Sequence, residues 1–185
     1  ATVPESSVSI VAEQPTPVPS LPKPVQPEIP AVVVGTFWEN NPGSGASRSG
    51  EPITTGEHEV KEGAVEFRLY TGVRVNVEGP ARFSIESGMK IRLISGRIAA
   101  EVLPTAVGFQ VEANSVSVTD FGTRFAVTAN REGDSAVHVY DGLVKATTGR
   151  ESDDEASLLQ TDDTRRLNLK TGLLEPIRFD EKLFA

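Results

Sequence analysis

The chain has 185 residues, no cysteine and a formal net charge of −8 at pH 7. That length holds one domain with a real core plus flanking sequence. The absence of cysteine excludes a disulfide framework and any thiolate metal site. No basic stripe exists for nucleic acid, and the acidic balance disfavours anionic lipid head groups.

Residues 1–30 hold eight of the thirteen prolines and show no apolar periodicity. Proline fixes φ and lacks an N–H, so this segment is expected to be a disordered spacer that favours polyproline II over strand. Fully extended, residues 14–30 reach on the order of 50 Å at about 3.1 Å per residue. Residues 31–41 (AVVVGTFWENN) read as a first strand carrying the only tryptophan, and 42–52 (PGSGASRSGEP) as a loop.

From Ile53 onward the apolar residues recur with period two: Val73, Val75 and Val77, then Phe83 and Ile85, Ile91 and Leu93, and so on through Val137 and Val139. Strict alternation buries one face of a strand and leaves the other in water. No window supports a helical stripe. The expected fold is all-β, an antiparallel sandwich or roll of many short strands. Turns are expected at Glu78-Gly79-Pro80, Ser87-Gly88, Ser95-Gly96, Asp120-Phe121-Gly122 and Asp141-Gly142. The apolar parity changes at Asn114-Ser115 and again at Asp120 to Gly122, so each needs a turn or bulge. Between Gly56 and Thr148, twelve acidic residues face ten basic ones; the excess lies in the flanks, notably ESDDE at 151–155.

Candidate chemistry is thin. Asp120-Phe121-Gly122 spells the magnesium-binding triplet of a protein kinase, but no glycine-rich loop, strand lysine or catalytic loop accompanies it. Asp opens turns and Gly supplies positive φ, so a turn is the better reading. Phe121 and Phe125 are expected in the core, with Asp120 and Thr123 serving the turn's own backbone. His58 and His138 lie eighty residues apart without further imidazoles, and read as surface or half-buried strand residues. The 151–155 run lacks the spacing of a calcium loop, and 42–50 lacks the GK[ST] ending of a phosphate loop. No Ser/His/Asp set stands out. No enzyme activity, metal or cofactor is expected.

The ordered phrases GEHEVKEGAVEFRLYTGVRVNVEGPARFSI, LISGRIAAEV, AVGFQVEANSVSVTDFGTRFAV and VHVYDGLVKA resemble the FecR domain, especially the version in long envelope proteins of planctomycetes. Its Glu-Gly-Pro-Ala phrase is matched by Glu78, Gly79, Pro80 and Ala81. Its Gly-Phe-x-Val phrase is matched by Gly108, Phe109 and Val111, and its Gly-Thr-x-Phe phrase by Gly122, Thr123 and Phe125. Gly96 and Gly142 lie within the two remaining phrases. The likeness is strong over 56–148 and weaker from Trp38 to residue 180. Arg124 stands where the family usually has Glu, and Glu112 to Ser115 replace a Thr-Pro-type turn; both departures fall on positions expected to be exposed.

With the proline-rich linker at 1–30, the resemblance implies a FecR-like all-β domain over 31–180 with its core at 56–148, and 181–185 as a tail or the start of a next linker. It also implies a periplasmic or cell-envelope domain, anchored through a membrane helix elsewhere in the parent chain. Such a domain relays a signal to an extracytoplasmic-function sigma factor, with a TonB-dependent transporter's signalling domain as the family's best-known partner. The named motif residues would then be structural. The chain opens on Ala without a signal peptide, which reads as an excised fragment. A structural or glycan-binding module is the competing expectation, disfavoured because most Phe fall on the buried phase.

Overall fold

The computed structural model describes residues 31–37, 52–149 and 156–184. The proline-rich spacer, Trp38, the 42–51 loop and the 151–155 acidic run lie outside the described residues. The strands are β1 (Ala31–Phe37), β2 (Pro52–Ile53), β3 (Gly56–Val60), β4 (Ala64–Arg68), β5 (Arg74–Ser87), β6 (Lys90–Glu101), β7 (Gln110–Ala113) and β8 (Val116–Asp120). They continue as β9 (Arg124–Ala129), β10 (Ser135–Asp141), β11 (Leu143–Thr148), β12 (Ser157–Gln160), β13 (Thr164–Leu167) and β14 (Leu174–Pro176). A 3₁₀ turn spans Pro104–Ala106 and a single helical turn, α1, spans Glu181–Phe184. No helix among the described residues is long and apolar enough to cross a membrane.

All fourteen strands join one sheet, and its spine is the β5–β6 hairpin turned at Gly88-Met89. The sheet forks on both sides of that spine. Beyond β6, residues 90–93 pair with β7 while residues 96–101 pair with β9. One branch then runs β7–β8–β11–β12 and the other β9–β10–β13–β14. On the far side, β5 pairs with β4 over residues 74–78 and with β3 over 81–85.

The fork explains two differences from the expected fold. Glu78-Gly79-Pro80 and Ser95-Gly96 are not turns between short strands: β5 runs unbroken for 14 residues and β6 for 12. The register slips between Glu78 and Arg82 instead, so both sites are bulges in long strands. Across Gly96 the buried parity of β6 changes from Ile91 and Leu93 to Ile98 and Ala100. The sheet is also not wholly antiparallel, because β6 and β7 are parallel. Such a pair needs a crossover, supplied by residues 102–109 and their 3₁₀ turn.

The two branches enclose one core. Val111, Val118, Val144 and Leu159 of the first pack in the same cluster as Phe125, Val127, Val137 and Val139 of the second. Phe67 and Phe83 stack there, with ring centroids 5.8 Å apart. The period-two reading thus holds, and the fold is an all-β roll.

Strand β10 departs from alternation, since Ser135 through Val139 are all buried. Its odd residues enter the core; its even ones are covered by the C-terminal segment. Phe184 packs on Ala126 and Ala136, and the Tyr140 hydroxyl donates to the Phe184 carbonyl at 3.0 Å. His138 is therefore buried rather than half-exposed. Its ring lies 4.3 Å from that of Phe179, and its Nδ1 is 2.8 Å from Thr164 Oγ1. Burial pushes the imidazole below its usual pKa.

Candidate interaction surface

The motif residues gather at two places. The first is the fork, built from Glu78, Gly79, Pro80 and Gly96. Gly96 has φ +104°, and a Cβ there would stand 2.4 Å from that of Ala81. Gly79 is almost as confined: a Cβ there would stand 2.9 Å from Val60 Cγ1 and 3.1 Å from the Glu62 nitrogen. The Glu78 carboxylate accepts from Arg97 at 3.0 Å.

The second place joins Gly108, Phe109, Asp120, Gly122, Thr123, Phe125 and Gly142. Two of the chain's three crossings between branches meet here, from β8 to β9 and from β10 to β11; the third, from β12 to β13, touches them where Gly142 N–H donates to Thr161 Oγ1 at 3.0 Å. The crossings are tied together: Phe121 N–H donates to Leu143 O at 3.1 Å, and the Thr123 hydroxyl donates to the same oxygen at 2.6 Å. Gly108 N–H donates to Asp120 O, and Asp120 N–H donates to Phe109 O, both at 2.9 Å. Gly142 (φ +95°) passes so close that a Cβ would lie 2.7 Å from Gly122 O.

Asp120 turns the first corner, and its Oδ2 accepts the Gly122 N–H at 2.7 Å. The side chain is buried, and Oδ1 has no hydrogen-bond partner. Burial pushes the carboxyl above its usual pKa, with Thr123 and Gly122 pulling the other way. Because folding raises this pKa, the stabilising contribution is full below the unfolded value and is lost as pH rises through the folded one. Asp120→Asn removes that charge and can keep the Gly122 bond. It is expected to leave stability at pH 7 within about 1 kcal/mol of wild type, or above it, with the difference shrinking on acidification. Gly122→Val, at φ +95° but with only Val107 Cγ2 nearby at 4.0 Å, is expected to cost about 1–2 kcal/mol through backbone strain. Urea unfolding from pH 4 to 7 checks both. A loss above about 2 kcal/mol for Asp120→Asn would assign the carboxylate a larger role.

Phe125 is fully buried, but Phe121 is 46% exposed, contrary to expectation. The inward phase of β8 runs Val116, Val118, Asp120, so the next residue points out. That phase was readable in the sequence, but aspartate at an inward position breaks the apolar signal. Beside Phe121, Leu143 is also exposed, and so is Val107, whose Cγ2 lies nearest Gly122. Leu158, 63% exposed on β12, is the diagonal neighbour of Leu143 across the β11–β12 pair. The result is an apolar surface leading from the double crossing to a strand that pairs on one side only among the described residues.

Of the departures from the family pattern, Arg124 is exposed and lies over the Tyr140 ring, 5.2 Å from its centroid. Within Glu112 to Ser115, Ala113 is fully buried, contrary to expectation. Asn114 (φ +55°) uses its amide to bind the Asp134 carbonyl at 3.0 Å, pinning one hairpin turn to another. His58 lies against Phe83, and its Nε2 is 2.8 Å from Thr54 O. Among the described residues, no group of three or more His, Cys, Asp or Glu is placed to hold a metal ion.

The model of the family described as FecR protein matches residues 53–145. Two crystal structures of a protein from Parabacteroides distasonis ATCC 8503, described as a candidate anti-sigma factor, superpose with a TM-score of 0.56 at 19% identity. The superposition covers 67% of this chain and 60% of each of those chains, and the likeness shows a shared fold. No curated protein matches.

Proposed function

Because this chain belongs to the FecR family, we propose that its β-roll is a non-catalytic protein-interaction domain of a FecR-type transmembrane regulator. It works outside the cytoplasmic membrane and relays a signal toward an extracytoplasmic-function sigma factor. The observation that carries this reading is the double crossing. Its polar groups are directed mostly at backbone, while Phe121, Val107 and Leu143 remain exposed around it. Exposed apolar residues clustered on a rigid junction are the pattern of a protein-binding surface. Beside them, β12 offers backbone groups for a partner strand. A TonB-dependent transporter's signalling domain fits as the partner, and tension on the linker as the relay.

Cross-linking of envelope proteins to the immobilised chain tests this, with Phe121→Glu and Leu158→Glu as surface variants. Expected is a specific envelope partner whose recovery falls about ten-fold in the variants while melting temperature holds. Recovery of no specific partner, or equal recovery by the variants, counts against the surface. Glycan capture without a protein partner would favour an accessory binding role.

A further inference from the structure

A groove of about 450 Å³ lies at the fork, between the β3–β5 pair on one wall and the β9–β10 turn on the other. It shares Pro80, Gly96, Ala129 and Asn130 with an adjoining hollow of about 320 Å³. Lys61 and Arg82 line the first wall and Arg131 the second, and all three are exposed. None of them has an ion-pair partner among the described residues. Glu59 stands opposite Arg82 in the strand register without pairing to it. Elsewhere Lys90, Arg92 and Arg166 are each tied to a carboxylate. The acids of the adjoining hollow are already engaged, Glu78 by Arg97 and Asp134 by Arg166.

In a chain of net charge −8, three unpaired cations around one concavity set up a local positive field, and low-dielectric walls focus it. We propose that this groove binds an extended acidic segment of a partner polypeptide. The charge selects an anion, and Arg82 and Arg131 suit carboxylates because guanidinium can take them bidentately. Cations on both walls of one open groove favour an occupant that carries several carboxylates along its length, as an acidic polypeptide segment does. An extended segment places alternate side chains about 6.6 Å apart, so that successive carboxylates can reach cations on both walls. The groove lies at the fork rather than at the double crossing, and its chemistry does not depend on the relay function.

Fluorescence anisotropy with a labelled strand-forming peptide of alternating Glu and Val, its Gln counterpart and a sulfated polysaccharide tests the assignment on the whole 185-residue chain. Expected is saturable binding of the Glu peptide that weakens with salt, and about ten-fold loss on combining Arg82→Gln with Arg131→Gln. The paired change Arg68→Gln with Arg124→Gln serves as a control of equal charge, since Arg68 ends β4 and Arg124 begins β9 at the end far from Ala129 and the groove. Equal loss in that control would mean non-specific attraction and overturn the site. So would equal binding of the Gln peptide, tighter binding of the polysaccharide, or no binding. All four substituted residues are exposed, and circular dichroism verifies that each variant is folded.

Discussion

Gly96→Ala is expected to cost at least about 3 kcal/mol, from strain at positive φ and overpacking together. The new methyl group would lie 2.4 Å from Ala81 Cβ, 2.7 Å from its Cα and 2.8 Å from Pro80 O. These atoms belong to a buried alanine and to strand backbone, so no flexible side-chain end can swing aside. The φ of +104° adds a penalty for any L side chain. Gly108→Ala isolates that second contribution: φ is +95°, yet nothing lies within 4 Å of the added Cβ. It should cost only about 1 kcal/mol. Urea unfolding of the pair separates contact from conformation. Equal losses would mean that the close approach of β5 and β6 at the fork is not what Gly96 provides.

Phe125→Ala should cost about 3–5 kcal/mol, a large share of the stability of an ordinary domain. Phe125 is fully buried on β9, opposite Ala100 of β6 and Val139 of β10. One of those neighbours is already small, and both sit on paired strands, so the cavity cannot readily collapse. Phe125→Leu, which keeps most of the volume, should cost about 1.5 kcal/mol or less. Denaturant midpoints of both variants, compared at a common slope, give the test. A loss below about 1 kcal/mol for Phe125→Ala would mean that the two branches repack freely.

Much of the fold was legible because alternation reports which side of a strand is buried. Val73, Val75 and Val77, or Phe125 and Val127, are all fully buried. The fork was not legible. Glycine and proline at 79, 80 and 96 signal broken regularity, and short-range chemistry does not distinguish a turn from a bulge in a continuing strand. Phe121 was misread for a related reason. Its turn obeys the phase of β8, and that phase ends on a buried carboxylate. The cover over β10 was hidden too, since burial of Ala136 and His138 depends on Phe179 and Phe184, more than forty residues away in sequence. Alternation within one strand carries no information about such distant cover. The convergence of Lys61, Arg82 and Arg131 likewise required the strand register.

An open, unbranched sheet has two free edges; one forked on both sides of its spine has four. Here the terminal strands among the described residues are β2, β3, β12 and β14. Free edges invite unwanted pairing, and proline or charge on the edge suppresses it. β2 carries Pro52, β14 carries Glu175 and Pro176, and β3 carries Glu57 and Glu59. β12 (SLLQ) has neither proline nor charge, and it presents Leu158 to solvent. Branching doubles the edges this domain must guard, and the one it leaves unguarded adjoins the apolar surface around Phe121.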